Sequence, residues 1–162
     1  MQRENCQWPA RCTRWFCRGR ARRSNNERSS VLDRGPGEIG LRVEASGVCR
    51  TDLHILVGEL ADPVLPLIPG HEIVGRVEAL GTGMTVPTIG QRVGIGWLGR
   101  SCGRCGLCEE DRENLCDAPL FTGYARDGGH AEHCVAEARF VFPLQSAADP
   151  VPSVRGMKRL CR

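Results

Sequence analysis

Four cysteines fall within one short stretch of the sequence and are the residues best suited to bind a metal. Their spacing is C-x2-C-x2-C-x7-C, at Cys102, Cys105, Cys108 and Cys116. Thiolates at such short intervals can turn toward one centre and complete a tetrahedral four-sulfur shell around zinc. A zinc site filled by four protein ligands holds a loop in place and performs no chemistry, so a reaction would need other residues.

Two other uses of these cysteines compete with zinc. The bacterial ferredoxin pattern of an iron–sulfur cluster also begins C-x2-C-x2-C, but its fourth cysteine follows after three residues and precedes proline. Here the gap is seven residues, and Asp117 follows Cys116. Disulfide bonds or free thiols are the remaining alternative. The density and spacing of the four cysteines favour zinc over both.

A second set of polar residues lies earlier in the chain. Cys49 stands 22 residues before His71, and a thiolate with an imidazole is a mixed pair that zinc accepts. On spacing alone this pair is a weak signal, because a lone cysteine is more often a small buried side chain. Around the pair stand groups that bind anions, orient ligands or carry protons, namely Arg50, Thr51, Asp52, His54 and Glu72.

The composition is that of an ordinary globular protein. The chain has 162 residues, 41% of them hydrophobic and 25% charged, with a net charge of +3. This length suits one domain with a core. No apolar run of about eighteen residues predicts a membrane span, and no signal-peptide pattern is present. We therefore expect no membrane partner and a reducing, cytoplasmic location.

Basic residues are concentrated at the start of the chain. Residues 1–30 carry eight arginines against Glu4 and Glu27, and they show no sustained strand or helix period. We therefore predict that residues 1–33 form a basic arm without secondary structure, disordered in solution. Such an arm could contact phosphates, but the pattern does not favour nucleic acid as a partner.

The elements that would position the polar residues are mostly short strands. Alternation of apolar and polar residues predicts strands at 38–45, 73–80, 91–95, 130–136 and 139–142. Thr51 or Asp52 offers an N-cap oxygen for a helical turn, and the proline-rich residues 62–69 cannot form a helix interior. Short strands, glycine turns and one metal lobe are typical of a small open barrel, so we predict a mainly β fold with short helices (α+β).

Three motifs, in this order, resemble a known family. They are Cys49-Arg-Thr-Asp-Leu-His54, then Gly70-His-Glu-Ile-Val-Gly75 followed by Gly81, then the four cysteines. Together they resemble the zinc-dependent alcohol dehydrogenases of the medium-chain dehydrogenase/reductase superfamily. The resemblance covers about residues 34–145. It implies a GroES-like catalytic domain, a distorted antiparallel barrel with a structural zinc lobe at residues 97–117.

The resemblance implies a second, catalytic zinc. Cys49 and His71 would bind it, Glu72 would be an occasional ligand, and Asp52 would orient His71. The implied mechanism is Lewis-acid catalysis, in which zinc lowers the pKa of a bound alcohol and hydride leaves for a nicotinamide cofactor.

The resemblance also implies a proton path and a cofactor contact. Thr51 would take the alcohol proton, and His54 would pass it to solvent. Arg50 would face the pyrophosphate of NAD or NADP. The implied partners are a small alcohol or aldehyde and, as in other family members, further copies of the same chain.

Beyond residues 34–145 the resemblance ends. Residues 1–33 and 146–162 do not match the family, and we assign no ligand role to Cys161 in the second of these stretches. No G-x-G-x-x-G follows a strand, so we expect the nicotinamide-binding Rossmann domain to be absent and the chain to be an N-terminal fragment, inactive alone. The alternative is a non-catalytic zinc module that contacts protein or nucleic acid.

Overall fold

The protein is mainly β, as the sequence predicts. The computed structural model describes residues 11–16, 25–30, 34–61, 63–145 and 149–157, and it gives the backbone path alone for 11–16, 25–30 and 154–157. The described strands pair only with antiparallel neighbours. No described helix has the length and apolar character that a bilayer span requires.

The elements are short and follow one another closely. In chain order the strands are β1 (Arg11–Phe16), β2 (Asn25–Ser30), β3 (Glu38–Gly47), β4 (Glu72–Leu80), β5 (Arg92–Ile95), β6 (Leu98–Arg100), β7 (Leu120–Phe121), β8 (His133–Glu137) and β9 (Val141–Pro143). The helices are α1 (Arg50–Val57), α2 (Gly106–Glu109) and α3 (Pro150–Met157), with 3-10 turns at Glu113–Leu115 and Ala138–Phe140.

A five-stranded sheet in the order β8-β3-β4-β5-β9 carries the core. Its buried apolar side chains pack together as Ile39, Leu41, Ile73, Val77, Val93, Ile95, Cys134 and Ala136. Because side chains alternate between the two faces, a slip of one residue would expose this set, so the core fixes the register. The predicted strands at 38–45, 73–80 and 91–95 are confirmed within two residues as β3, β4 and β5. Among the described residues the sheet stays open between β8 and β9.

The last two predicted strands begin later than expected. Residues 127–130 run beside residues 68–70, and the backbone N–H groups of residues 128–130 donate hydrogen bonds of 2.7–3.0 Å to the carbonyls of residues 68–70, so β8 begins only at His133. A 3-10 turn at Ala138–Phe140 likewise delays β9. The backbone N–H of Ala138 donates to the Gly37 carbonyl at 3.0 Å, which turns the chain there.

The contact between residues 127–130 and 68–70 depends on a glycine. A Cβ atom at Gly128 would lie 2.1 Å from the Gly70 carbonyl oxygen and 2.6 Å from that of Pro69. Both neighbours are backbone atoms, which cannot swing aside as a side chain can. Gly70 itself has a φ of +95°, a conformation that favours glycine, and it turns the chain into His71.

Helix α1 begins two or three residues earlier than a Thr51 or Asp52 N-cap would place it. That prediction is wrong, because the N-cap is Cys49 and Asp52 lies inside the first turn. The Asp52 carboxylate accepts a 2.7 Å hydrogen bond from the Cys49 backbone N–H, which satisfies a donor at the helix start. Ile55 anchors the helix by packing on Leu67.

Both ends of the chain contain elements that the sequence patterns do not predict. Strands β1 and β2 form an antiparallel hairpin within the segment expected to be a disordered arm, with Arg11 opposite Ser30. Thr13, Trp15 and Phe16 are residue types with high strand propensity. Such residues can form a strand even where apolar and polar residues do not alternate.

The other unpredicted element is α3, which lies beside β3 and β4. Its sequence signal is Asp149 followed by Pro150, an N-cap residue before a proline at the first helical position. The Asp149 carboxylate accepts a 2.9 Å hydrogen bond from the Val151 N–H.

We expect Gly128→Ala to destabilise the fold strongly. The new methyl group would collide with two backbone carbonyls, and overpacking of this kind costs about 3 kcal/mol at the upper end of its usual range. Thermal and denaturant unfolding would measure the loss. The matched control is Gly106→Ala, because a Cβ there meets no atom within 4 Å. Equal stability of the two variants would contradict the close approach.

Candidate metal centres

Two groups of side chains among the described residues could hold a metal ion. One consists of the four cysteines of the cysteine lobe, residues 97–117, and the other consists of Cys49, His71 and Glu72, hereafter the Cys49 cluster. Within each group, one ligand atom from every residue lies within 4.8 Å of those from the others. The two groups differ in how they are built and in what they can do.

The cysteine lobe is built from a loop and two single helical turns. The Cys105 Sγ lies 3.5 Å from the Cys108 Sγ, and the Cys102 Sγ lies 4.0 Å from the Cys108 Sγ. Zinc–sulfur bonds of about 2.3 Å in a tetrahedron put sulfurs about 3.8 Å apart, whereas a disulfide needs about 2.05 Å. The sulfurs are therefore spaced for a shared ion and not for bonds to each other, and all four cysteines are free.

The electrostatics of the lobe also suit a cation. The backbone N–H groups of Arg104 and then Cys105 lower the pKa of Cys102 to about 6, and burial raises the pKa of Cys108 to about 11. The Cys116 sulfur accepts hydrogen bonds from the N–H groups of Cys102 at 3.2 Å and Ala118 at 3.4 Å. A divalent cation at the centre would stabilise all four as thiolates, Cys108 included.

The Cys49 cluster is assembled by the start of α1 and the start of β4. Cys49 is the N-cap of α1, and Glu72 is the first residue of β4, directly after His71. His71 and Glu72 are buried, and Cys49 is half-buried. The Thr51 Oγ1 lies 3.8 Å from the Cys49 Sγ, so a hydroxyl stands beside the sulfur. A thiolate, an imidazole and a carboxylate form a donor set that fits zinc.

The buried carboxylate of Asp52 ties the two halves of this cluster together. Its Oδ2 accepts the Cys49 N–H at 2.7 Å, and its Oδ1 accepts the Gly70 N–H at 2.9 Å. The same Oδ1 lies 3.9 Å from the Nδ1 of His71. With that nitrogen turned to Asp52, the Nε2 on the far side of the ring faces away from the carboxylate.

Sequence reasoning missed two residues near the cluster. His130 has its Nδ1 3.1 Å from the Ser46 hydroxyl and its Nε2 3.9 Å from the Asp52 Oδ2. The pKa of His130 is lowered, chiefly by burial. The Asp52 carboxylate acts to raise this pKa, and His71 acts to lower it further. Trp97 contacts His71 edge-on, with ring centroids 4.9 Å apart. Neither residue has a spacing to Cys49 or His71 that would identify it.

The remaining residues singled out from sequence lie on or beyond α1. Arg50 is exposed at the first position of the helix. His54 forms a hydrogen bond to Glu59 through its Nδ1, and the Glu59 side chain is 62% exposed. Cys161 lies outside the described residues.

A comparison with protein families matches residues 35–146 to the alcohol dehydrogenase GroES-like domain. An alcohol dehydrogenase of Geobacillus stearothermophilus is 49% identical over 109 residues, which are 67% of this chain and 32% of that protein. One of Moraxella sp. is 42% identical over 118 residues, covering 72% of this chain and 35% of that protein. The chain thus spans about a third of the length of these relatives.

Solved structures with the same fold include nicotinamide complexes. A protein described as a zinc-binding dehydrogenase of Sinorhizobium meliloti, bound to NADP, has a TM-score of 0.82 at 29% identity and covers 90% of this chain and 42% of that one. Acetophenone reductase from Geotrichum candidum, in complex with NAD, has a TM-score of 0.79 at 30% identity and covers 91% and 44%.

We expect the purified protein to retain one zinc in the cysteine lobe that Cys105→Ser removes, because three sulfurs hold zinc less tightly than four. Metal analysis after dialysis would measure it, and a chelator should lower the unfolding temperature of the parent protein. The control is Cys134→Ala, which removes a buried thiol of the sheet core and should leave the zinc in place. Iron in place of zinc, or a zinc content in Cys105→Ser equal to that of the parent protein, would contradict the assignment.

Proposed function

Because the chain belongs to the alcohol dehydrogenase GroES-like domain family, we propose that residues 34–145 are the metal-holding domain of a zinc-dependent alcohol dehydrogenase. Such an enzyme oxidises an alcohol to an aldehyde or ketone and transfers hydride to NAD or NADP. The observation that carries the proposal is the convergence of Cys49, His71 and Glu72 within 4.8 Å, although the first two are 22 residues apart in sequence.

In this proposal the Cys49 cluster holds the catalytic zinc. When bound there, zinc supplies Lewis-acid polarisation of an alcohol oxygen. Cys49 contributes a thiolate, His71 contributes its Nε2, and Glu72 contributes a carboxylate oxygen. Asp52 supports this use of His71, because a carboxylate facing the Nδ1 favours the tautomer whose proton is on that atom and whose lone pair is on the Nε2.

Thr51 and His54 are the proposed path for the alcohol proton. The Thr51 hydroxyl is next to the Cys49 sulfur, so it stands beside the site where an alcohol would bind. A hydroxyl can accept one proton while it donates another. His54 is one turn further along α1, and its hydrogen bond to the exposed Glu59 gives the proton an exit to water.

Arg50 is the proposed contact for the cofactor. Its exposed guanidinium, one residue from Cys49, can pair with pyrophosphate oxygens. The NADP and NAD complexes of the S. meliloti and G. candidum proteins support a nicotinamide cofactor for this chain as well. We further propose a small alcohol or aldehyde as substrate, a homo-oligomer and a cytoplasmic location.

The cysteine lobe is the proposed structural zinc site, and the second cluster argues against a purely non-catalytic module. A zinc that only stabilises the fold needs a closed shell, and the lobe supplies one. The Cys49 cluster offers three protein atoms, which leaves a tetrahedral position for substrate. A protein-binding or nucleic-acid-binding zinc module has no use for this second, open site.

A chimera tests the proposed activity. In the G. stearothermophilus relative, the residues that align with this chain would be replaced by those of this chain. Alcohol oxidation would then be measured by the absorbance of reduced nicotinamide. We expect turnover in the chimera. Cys49→Ala should reduce it by more than about 100-fold, because loss of a direct ligand exceeds the 10–100-fold effect of losing an outer partner.

The controls separate chemistry from folding. Cys134→Ala in the chimera should keep most of the activity, and the isolated chain should show none, because its described residues contain no parallel βαβ unit to hold a dinucleotide. Undiminished turnover in Cys49→Ala would contradict the proposal. So would a folded chimera that retains the lobe zinc and oxidises no alcohol.

A further inference from the structure

Asp52 is shared between two histidines that come from different loops. His71 presents its Nδ1 at 3.9 Å from one carboxylate oxygen, and His130 presents its Nε2 at 3.9 Å from the other. The Asp52 and His71 side chains are 3% and 6% exposed, and that of His130 is 17% exposed. These separations are longer than a hydrogen bond, but because the groups are buried, the negative charge of Asp52 still acts on both rings.

The proton of the His130 ring is placed by its neighbours. A carboxylate only accepts hydrogen bonds, so it favours the tautomer in which the His130 Nε2 carries the proton. The Nδ1 is then an acceptor, and the Ser46 hydroxyl, 3.1 Å away, donates to it. Ser46 therefore holds the ring from β3, and the N–H of the ring faces Asp52.

His130 also packs against the residue that precedes His71. A Cβ atom on Gly70 would lie 2.8 Å from the His130 Nδ1 and 2.9 Å from the Ser46 hydroxyl oxygen. The backbone N–H of Gly70 donates to the Asp52 carboxylate, and the backbone N–H of His130 donates to the Pro69 carbonyl at 3.0 Å. His130 thus contacts both the turn that carries His71 and the carboxylate that faces it.

We propose that His130, held by Ser46, is a positioning residue that fixes Asp52 and the Gly70 turn, so that His71 presents its Nε2 to the metal of the Cys49 cluster. This inference rests on the proposed function. His130 is not a ligand in it: the described groups able to hold a metal do not include it. Its effect is on how tightly the cluster binds zinc, since outer partners of a ligating histidine change metal affinity by about 10–100-fold.

Zinc binding by the full chain tests the proposal without any need for turnover. Competition with a chromophoric chelator would resolve the zinc of the cysteine lobe from a second zinc, which is assigned to the Cys49 cluster by its absence in Cys49→Ala. We expect His130→Phe, which keeps a ring and removes both nitrogens, to weaken the second zinc about tenfold and leave the lobe zinc unchanged. Ser46→Ala should weaken it in the same direction.

Two further variants separate positioning from packing. His130→Gln keeps an amide N–H that can reach toward Asp52, so we expect it to bind the second zinc more tightly than His130→Phe. The matched control is His133→Phe, which removes a histidine that bonds to Glu78 at 3.2 Å and should leave the second zinc unchanged.

The possible results have distinct meanings. Wild-type affinity in His130→Phe, an equal loss in His130→Gln, or an equal loss in His133→Phe would each overturn the positioning role while leaving the catalytic zinc intact. Absence of any Cys49-dependent zinc in the parent chain would overturn the proposed function, and this inference with it.

Discussion

The buried carboxylate of Asp52 is the interaction on which the candidate active site depends. The Asp52 side chain is 3% exposed, and a carboxylate so buried is costly unless donors surround it. Asp52 meets that need with the backbone N–H groups of Cys49 and Gly70, at 2.7 and 2.9 Å. These two donors belong to the start of α1 and to the turn before β4. Solvating the charge therefore brings together the segments that carry Cys49 and His71.

A second constraint fixes the turn from its other side. Residues 127–130 lie against residues 68–70 through consecutive backbone hydrogen bonds, and the Asp127 carboxylate accepts the Ile68 N–H at 2.9 Å. Such contact requires a glycine at 128, because any side chain would meet the Gly70 carbonyl. The position of His71 is thus set jointly by α1, by residues 127–130 and by strand β4, which begins at Glu72.

The two candidate metal centres show how local and long-range order give different chemistry. The cysteine lobe draws its ligands from one short loop, so four sulfurs can enclose an ion. The Cys49 cluster draws its ligands from two elements and provides three, two of them buried. A site that spans two elements can leave one face open, which is what the proposed reaction with an incoming alcohol needs.

The sequence by itself determined the features that depend on neighbouring residues. The cysteine spacing identified the lobe, and alternation of apolar residues located β3, β4 and β5. A ligand loop and a half-buried strand both depend on residues that are close together in the sequence. Motif order gave the family and therefore the role expected of Asp52. Local patterns misplaced the start of α1, and they predicted neither the β1–β2 hairpin nor α3.

Only the tertiary structure decided which distant groups meet. The Asp52 carboxylate accepts a hydrogen bond from Gly70, 18 residues away in the sequence. Its hydrogen bond with the Cys49 N–H makes Cys49 the N-cap in place of Thr51 or Asp52. Ser46 forms a hydrogen bond with His130, 84 residues away in the sequence, so no spacing could have linked His130 to the Cys49 cluster. The physical reason is that a buried charge takes its donors from whatever segments the packed core brings within reach, and sequence distance does not enter that choice.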